Sequence, residues 1–266
     1  MIIDTHAHYD DEAFDTDREA VLASLHNNGT GKIIDVASTA ESLAKVADLM
    51  HRYDFIYGAF GLHPDEAGDF TPELAARLKD YLKDPKAAAV GEIGLDMSRT
   101  RETEALQIKC FRQQIELALE AEKPVLVHSR DAAGKTMEII EEYYGKGGRG
   151  EHVVQKGILH CYSYSPEQAK IYTGLGFCLG IGGVVTFKNA VRLKETVREI
   201  PLRYFVLETD CPYLSPEPFR GQRNSSLRLP LVIEAIAGLR GISPGEVEKA
   251  TQENAERIFG RTFRNM

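Results

Sequence analysis

Cysteine is scarce in this sequence and never clustered: Cys110, Cys161, Cys178 and Cys211 lie far apart, with no Cys-x-x-Cys pair. This spacing excludes a small disulfide scaffold and points to free, buried thiols in a reducing compartment. Long apolar runs are also missing, and nothing approaches the ~20 residues that a membrane-spanning helix needs. The opening MIIDTHAH has neither a basic stretch nor a long apolar core, so no secretory signal and a cytoplasmic location are expected. Positive charge is not in excess, since 32 Lys+Arg face 40 Asp+Glu for a formal net charge of −8. An acidic chain does not coat nucleic acid nonspecifically, and contact with a polyanion would need a local basic patch. There is no low-complexity tract, internal repeat or composition shift, so residues 1–266 read as one domain.

Strand and helix patterns alternate from end to end. Short apolar runs at 2–7, 32–37, 54–60, 87–93, 124–129, 156–161, 176–181 and 204–209 read as strands. Helical patterns fall near 14–27, 40–52, 72–83, 102–122, 132–144, 166–174 and 189–198, with two more near 227–240 and 243–256. Ser243-Pro244 followed by Glu246 is a helix start: N-cap, proline in the first turn, and a carboxylate three residues on. The strands are continuous apolar runs rather than alternations, which suits strands covered by helices outside and packed side chains inside. Eight β/α units in 266 residues point to a (β/α)8 barrel, with an open doubly wound sheet as runner-up. The GKGGRG stretch at 145–150 lacks the rest of a Walker pattern and reads as a helix-to-strand loop.

The histidines carry the functional signal. Of eight, five (His6, His8, His63, His128, His160) end a short apolar run. Two carboxylates, Glu92 in AVGEIGLD and Asp210 in ETDCP, end further runs. The other three, His26, His51 and His152, fall on helix surfaces or loops. His6 and His8 stand two apart on a strand and so share a face, with Asp4 one step deeper to orient the site or fill a core layer. Taken singly, each residue is more often a satisfied polar side chain than a ligand. Together, six N/O ligand types at equivalent positions in five β/α units form a metal constellation. An open sheet would spread those strand ends along a line, whereas a barrel gathers them at one rim.

Imidazole and carboxylate without thiolate suit Zn2+, Mn2+, Co2+ or Fe2+, and Mg2+ more weakly. Six ligands exceed the three protein ligands of a usual catalytic zinc site. Two ions about 3.5–4 Å apart account for the number, the expected pair being drawn from Mg2+, Mn2+ and Zn2+. The expected assignment puts His6, His8, Glu92 and Asp210 on one ion, and Glu92, His128 and His160 on the other. Asp210 serves equally well as general base. Glycines 91 and 94 would allow close approach around Glu92.

At these residues the chain resembles the TatD family of metal-dependent deoxyribonucleases. The likeness runs nearly end to end through DTHAH (4–8), GLHP (61–64), VGEIGLD (90–96), FRQQIELA (111–118), PVLVHSRDA (124–132), HCYS (160–163), TFKNA (186–190), LETDCPYL (207–214) and PFRGQRN (218–224). The resemblance implies a (β/α)8 barrel, two divalent cations and hydrolysis of DNA phosphodiester bonds, often from the 3′ end. Tyr164, Met97 and Ala7 depart from the family pattern without removing a ligand, and the first two bear on the substrate pocket. The expected partner is DNA, single-stranded or at 3′ ends, with no membrane and no obligate protein partner.

Phosphate contacts are expected from Arg130 after His128, and from Lys188, Arg220 and Arg223 in the loops after strands 7 and 8, where barrels often hold phosphate. His63 is expected to touch phosphate or leaving group rather than metal. Tyr162, Tyr164 and Phe187 are candidates for stacking a terminal base. The alternative is a barrel hydrolase acting on a small amide, lactone or phosphoester. Many of these bridge their metals with a carboxylated lysine at the end of strand 4. Here that position is Glu92, and the nearest preceding lysine, Lys86, lies before the strand, which favours the nuclease.

Overall fold

The computed structural model describes residues 1–98 and 102–264. Eight parallel strands pair in chain order. They are β1 (Ile2–Ala7), β2 (Thr30–Val36), β3 (Ile56–Ala59), β4 (Ala87–Asp96), β5 (Val125–Arg130), β6 (Gly157–Leu159), β7 (Cys178–Ile181) and β8 (Phe205–Leu207). The ring closes where β1 meets the chain after β8: the Asp210 N–H donates to His6 O at 2.9 Å and the His8 N–H to Cys211 O at 2.8 Å. This is the (β/α)8 barrel expected from eight apolar runs.

The covering helices are α1 (Arg18–Asn27), α2 (Ser42–Arg52), α3 (Pro72–Tyr81), α4 (Glu104–Glu120), α5 (Ala133–Tyr144), α6 (Pro166–Gly174), α7 (Val191–Glu199), α8 (Leu229–Arg240) and α9 (Pro244–Arg264). Their starts follow local chemistry. Thr71 caps α3 by accepting the Leu74 N–H at 3.2 Å, and Pro72 opens the first turn. The expected box at α9 is present, with Glu246 N–H donating to Ser243 Oγ (3.2 Å) and Ser243 N–H to Glu246 Oε2 (2.9 Å). Among the described residues no helix is long and apolar enough to cross a membrane.

Helix α9 and strands β6 and β8 differ from expectation. Helix α9 continues to Arg264 rather than ending near 256, because Ala255, Ile258 and Phe259 extend its apolar face. Those three pack with Ile34, Tyr57, Ala88, Leu126, Ile158 and Val206 of the strands. Strands β6 and β8 leave the ladder earlier than the sequence suggests. Beyond them Cys161 and Asp210 adopt left-handed backbone (φ 45° and 57°). Each such non-glycine residue costs about 1 kcal/mol, and both flank or belong to the metal constellation.

Candidate metal centre

The strand ends converge. His6 lies on β1 and His8 just past it, Glu92 on β4, His128 on β5, His160 after β6 and Asp210 after β8. Glu92 sits in the middle, with its side chain almost wholly buried. Its Oε2 is 3.5 Å from His6 Nε2 and 3.9 Å from His8 Nε2. Its Oε1 is 2.9 Å from His128 Nδ1 and 3.7 Å from His160 Nε2. Asp210 Oδ1 stands 3.4 Å from His8 Nε2, 3.5 Å from His160 Nε2 and 4.0 Å from His6 Nε2. Donors sharing an ion at about 2.0–2.2 Å stand roughly 3–4.4 Å apart, depending on the angle between them, so these spacings fit the donor sets of divalent cations. Glycine is needed on β4. Gly94 has φ 147°, and a Cβ there would stand 1.9 Å from His128 O.

The electrostatics favour cations. Burial opposes ionisation of Glu92, but His6, His160 and the hydrogen bond from His128 outweigh it and hold its carboxyl well below the usual range. Asp210 is likewise lowered, with burial overcome by His160 and His8. The imidazoles answer in kind. Burial would lower His8 and His160, yet Asp210 and Glu92 for the first, and Glu208, Asp210 and Glu92 for the second, push each up to about 10. His128 rises to about 9 through Asp96 and Glu92 despite its burial. His6 is instead lowered, by burial and by His160 beside it. Protons on three imidazoles thus offset the carboxylates, and divalent cations would take their place.

Three of the four imidazoles have an acceptor close behind the ring. His8 Nδ1 is 2.7 Å from Val36 O, His128 Nε2 is 3.0 Å from Asp96 Oδ2, and His160 Nδ1 is 3.1 Å from Glu208 Oε1. Such partners fix tautomer and ring orientation. Sequence reasoning missed Asp96 and Glu208. Period two offered a signal for both, since Asp96 stands four residues past Glu92 and Glu208 two before Asp210. Asp4 lies outside the cluster. It accepts from Thr209 N (3.0 Å), Thr209 Oγ1 (2.6 Å) and Ser226 Oγ (2.6 Å), strapping β1 to the segment after β8.

A cleft of about 690 Å3 opens over the cluster, lined by His63, Arg130, Tyr213 and Leu214 among others. His63 Nδ1 accepts the Asp65 N–H at 3.2 Å, so its neutral ring carries the proton on Nε2. His63 also forms, with Glu92 and His128, a group of donors close enough to share an ion. Lys188, Arg220 and Arg223 are not among the lining residues. Arg220 lies 4.3 Å over the Phe187 ring. Arg223 grips Asp17 through both terminal nitrogens (2.7 and 2.6 Å) and donates to Ala13 O. Of the aromatics, Tyr162 and Phe187 are buried, and the Tyr164 hydroxyl is 2.9 Å from Ser129 Oγ. Tyr213, which sequence reasoning passed over, is 54 % exposed. Of the remaining histidines, His51 pairs with Asp84 on the surface, and the His26 side chain lies outside the described residues.

Residues 3–260 match the family model described as TatD related DNase. The chain is 39 % identical over 259 residues to the uncharacterized metal-dependent hydrolase YabD of Bacillus subtilis, covering 97 % of this chain and 99 % of that protein. It is 30 % identical over 251 residues to the 3′-5′ ssDNA/RNA exonuclease TatD of Cronobacter sakazakii, covering 92 % and 93 % respectively. The crystal structure of YjjV, a TatD homologue from Escherichia coli K12, superposes with a TM-score of 0.88 at 31 % identity, covering 97 % of this chain and 98 % of that one. A barrel matched along its whole length, with imidazoles and carboxylates gathered at its mouth, belongs to the family of TatD-related DNases.

Proposed function

We propose that this chain is a metal-dependent hydrolase that removes nucleotides from the 3′ end of single-stranded DNA, using two divalent cations bridged by Glu92. The observation that carries the reading is the Glu92 carboxylate itself, one oxygen facing His6 and His8 and the other facing His128 and His160. Asp210 stands within reach of both groups. The family membership and the name of the Cronobacter relative support a nuclease. Bound cations drawn from Mg2+, Mn2+ and Zn2+ would supply an activated water and neutralise phosphate charge.

The residues divide the remaining work. Asp210 lines the cleft and takes the proton of the attacking water. His63 offers Nε2–H to the leaving oxygen. Arg130, at the end of β5, meets one phosphate. Tyr213, exposed beside the His8 ring at 6.5 Å between centroids, offers a face for a terminal base. The rim also carries acids, with Asp10, Asp11, Asp65 and Glu66 lining the cleft. That charge repels a long polyanion and admits a chain end, which supports trimming over internal cleavage.

The test uses single-stranded DNA labelled at either end and incubated with metal-loaded protein, with and without chelator. Stepwise, chelator-sensitive loss of 3′ nucleotides is expected. Inertness toward DNA with turnover of small amides, lactones or phosphoesters would replace this reading with the alternative barrel hydrolase.

A further inference from the structure

Beneath the four imidazoles lies a carboxylate that faces no substrate. Glu208 is 1 % exposed. Its Oε1 accepts the Cys161 N–H at 2.6 Å and lies 3.1 Å from His160 Nδ1. The second contact is short but out of line for a full hydrogen bond. His160 Nδ1 is thus a buried polar atom without a hydrogen-bond partner, and so are His6 Nδ1 and Glu208 Oε2. They belong together. The His6 and His160 rings stack with centroids 3.5 Å apart, and a ligand atom from each lies within 4.8 Å of the other and of a Glu208 oxygen. Three orphaned polar atoms buried together are costly unless something else holds the group in place. The fold also makes room for this carboxylate. A Cβ on Gly180 of β7 would stand 2.0 Å from Glu208 Oε2.

We propose that Glu208 is a positioning residue for the metal centre: it takes the Nδ1–H of His160 and backs the stacked His6, so that both rings present Nε2 to the cations. The inference rests on the metal reading above. The physical argument is one of tautomers. A neutral imidazole has a single ring proton, and a carboxylate at Nδ1 keeps it there. Nε2 is then left as a lone pair aimed at Glu92 and Asp210, where His160 Nε2 stands at 3.7 and 3.5 Å and His6 Nε2 at 3.5 and 4.0 Å. Because the two rings stack, Glu208 acts on a donor from each of the two ligand groups.

The experiment is calorimetric titration of the metal-free protein with Mn2+, paired with thermal melting of the same metal-free samples. Glu208→Ala is expected to fold and to bind Mn2+ roughly tenfold to a hundredfold more weakly, the usual cost of losing an outer partner. Glu208→Gln keeps an oxygen that accepts from both Cys161 N–H and His160 Nδ1–H, so it restores affinity to within a few-fold of wild type. Gly180→Ala leaves every ligand in place yet displaces the carboxylate, and is expected to weaken Mn2+ about tenfold. A folded Glu208→Ala with wild-type affinity and stoichiometry overturns the proposal. If that variant does not fold, wild-type affinity in Gly180→Ala overturns it instead. Wild-type protein that takes up no Mn2+ would sink the metal reading itself, a result distinct from equal binding by wild type and variants.

Discussion

The two ends of this barrel are built from the same eight strands and share almost no chemistry. At the C-terminal mouth the strands release His8, Glu92, His128, His160 and Asp210 into a polar cleft. At the opposite end they close on an apolar plug, where Ile258 and Phe259 of α9 pack under Ile3, Tyr57, Ala88 and Val206. Tyr57 and Phe263 meet edge to face at 4.7 Å, and Lys32 lies 4.0 Å over the Phe263 ring. The floor is held by burial and the mouth by charge balance. The mouth carries left-handed backbone at Asp131, Cys161 and Asp210, beside or within the ligand set. Stability and reactivity thus occupy different ends, and the strands between transmit rigidity from one to the other.

If the division is real, substitutions at each end have separable effects. Glu92→Ala removes the oxygens between the two imidazole pairs. Turnover should fall on the order of 10^4-fold, as for members of a catalytic unit, and metal stoichiometry should drop, both measurable by rate assay and metal analysis. Retained turnover would break the bridge. Phe259→Ala empties the floor of a ring that is 1 % exposed. Stability should fall by about 3–5 kcal/mol in denaturant melts, while metal stoichiometry and KM stay as in wild type. A change in KM would mean the two ends are not separate.

Tyr213→Ala sharpens the description of the mouth. Losing a stacked base costs roughly 1–3 kcal/mol, so KM for single-stranded DNA should rise about five- to a hundredfold with kcat little changed. A fall in kcat alone would remove Tyr213 from the substrate platform. The smallest effect belongs to Arg223 and Asp17. Arg223 holds the Asp17 carboxyl below the usual range against a small opposing burial effect. A carboxyl lowered on folding stabilises above its unfolded pKa and loses that contribution as pH falls through the folded value. Arg223→Ala should therefore leave activity intact and shift the acid limb of the melting curve slightly. A large loss of DNA binding would return Arg223 to the phosphate-binding set.

Most of the fold was legible because each β/α unit carries its own periodicity. All eight apolar runs are strands, and the box at Ser243–Glu246 opens α9. What local pattern could not supply was the tertiary neighbour. Helix α9 runs on because strands from across the barrel offer it an apolar floor, a surface no window of residues 243–264 contains. The convergence of the six candidate ligands was legible from their position at strand ends. Their anchors were not, since Asp96 and Glu208 look like ordinary acids until His128 and His160 are placed beside them. Three of the four basic residues, Lys188, Arg220 and Arg223, fall outside the cleft lining. Arg223 reads as a phosphate ligand until Asp17, 206 residues away, is found in its grip.

Anomalous diffraction from Mn2+-soaked crystals of this protein is the most direct measurement of the account. Two peaks about 3.5–4 Å apart, flanking the Glu92 carboxylate with His6 and His8 on one side and His128 and His160 on the other, are the predicted result. A single peak, or peaks away from Glu92, would contradict it.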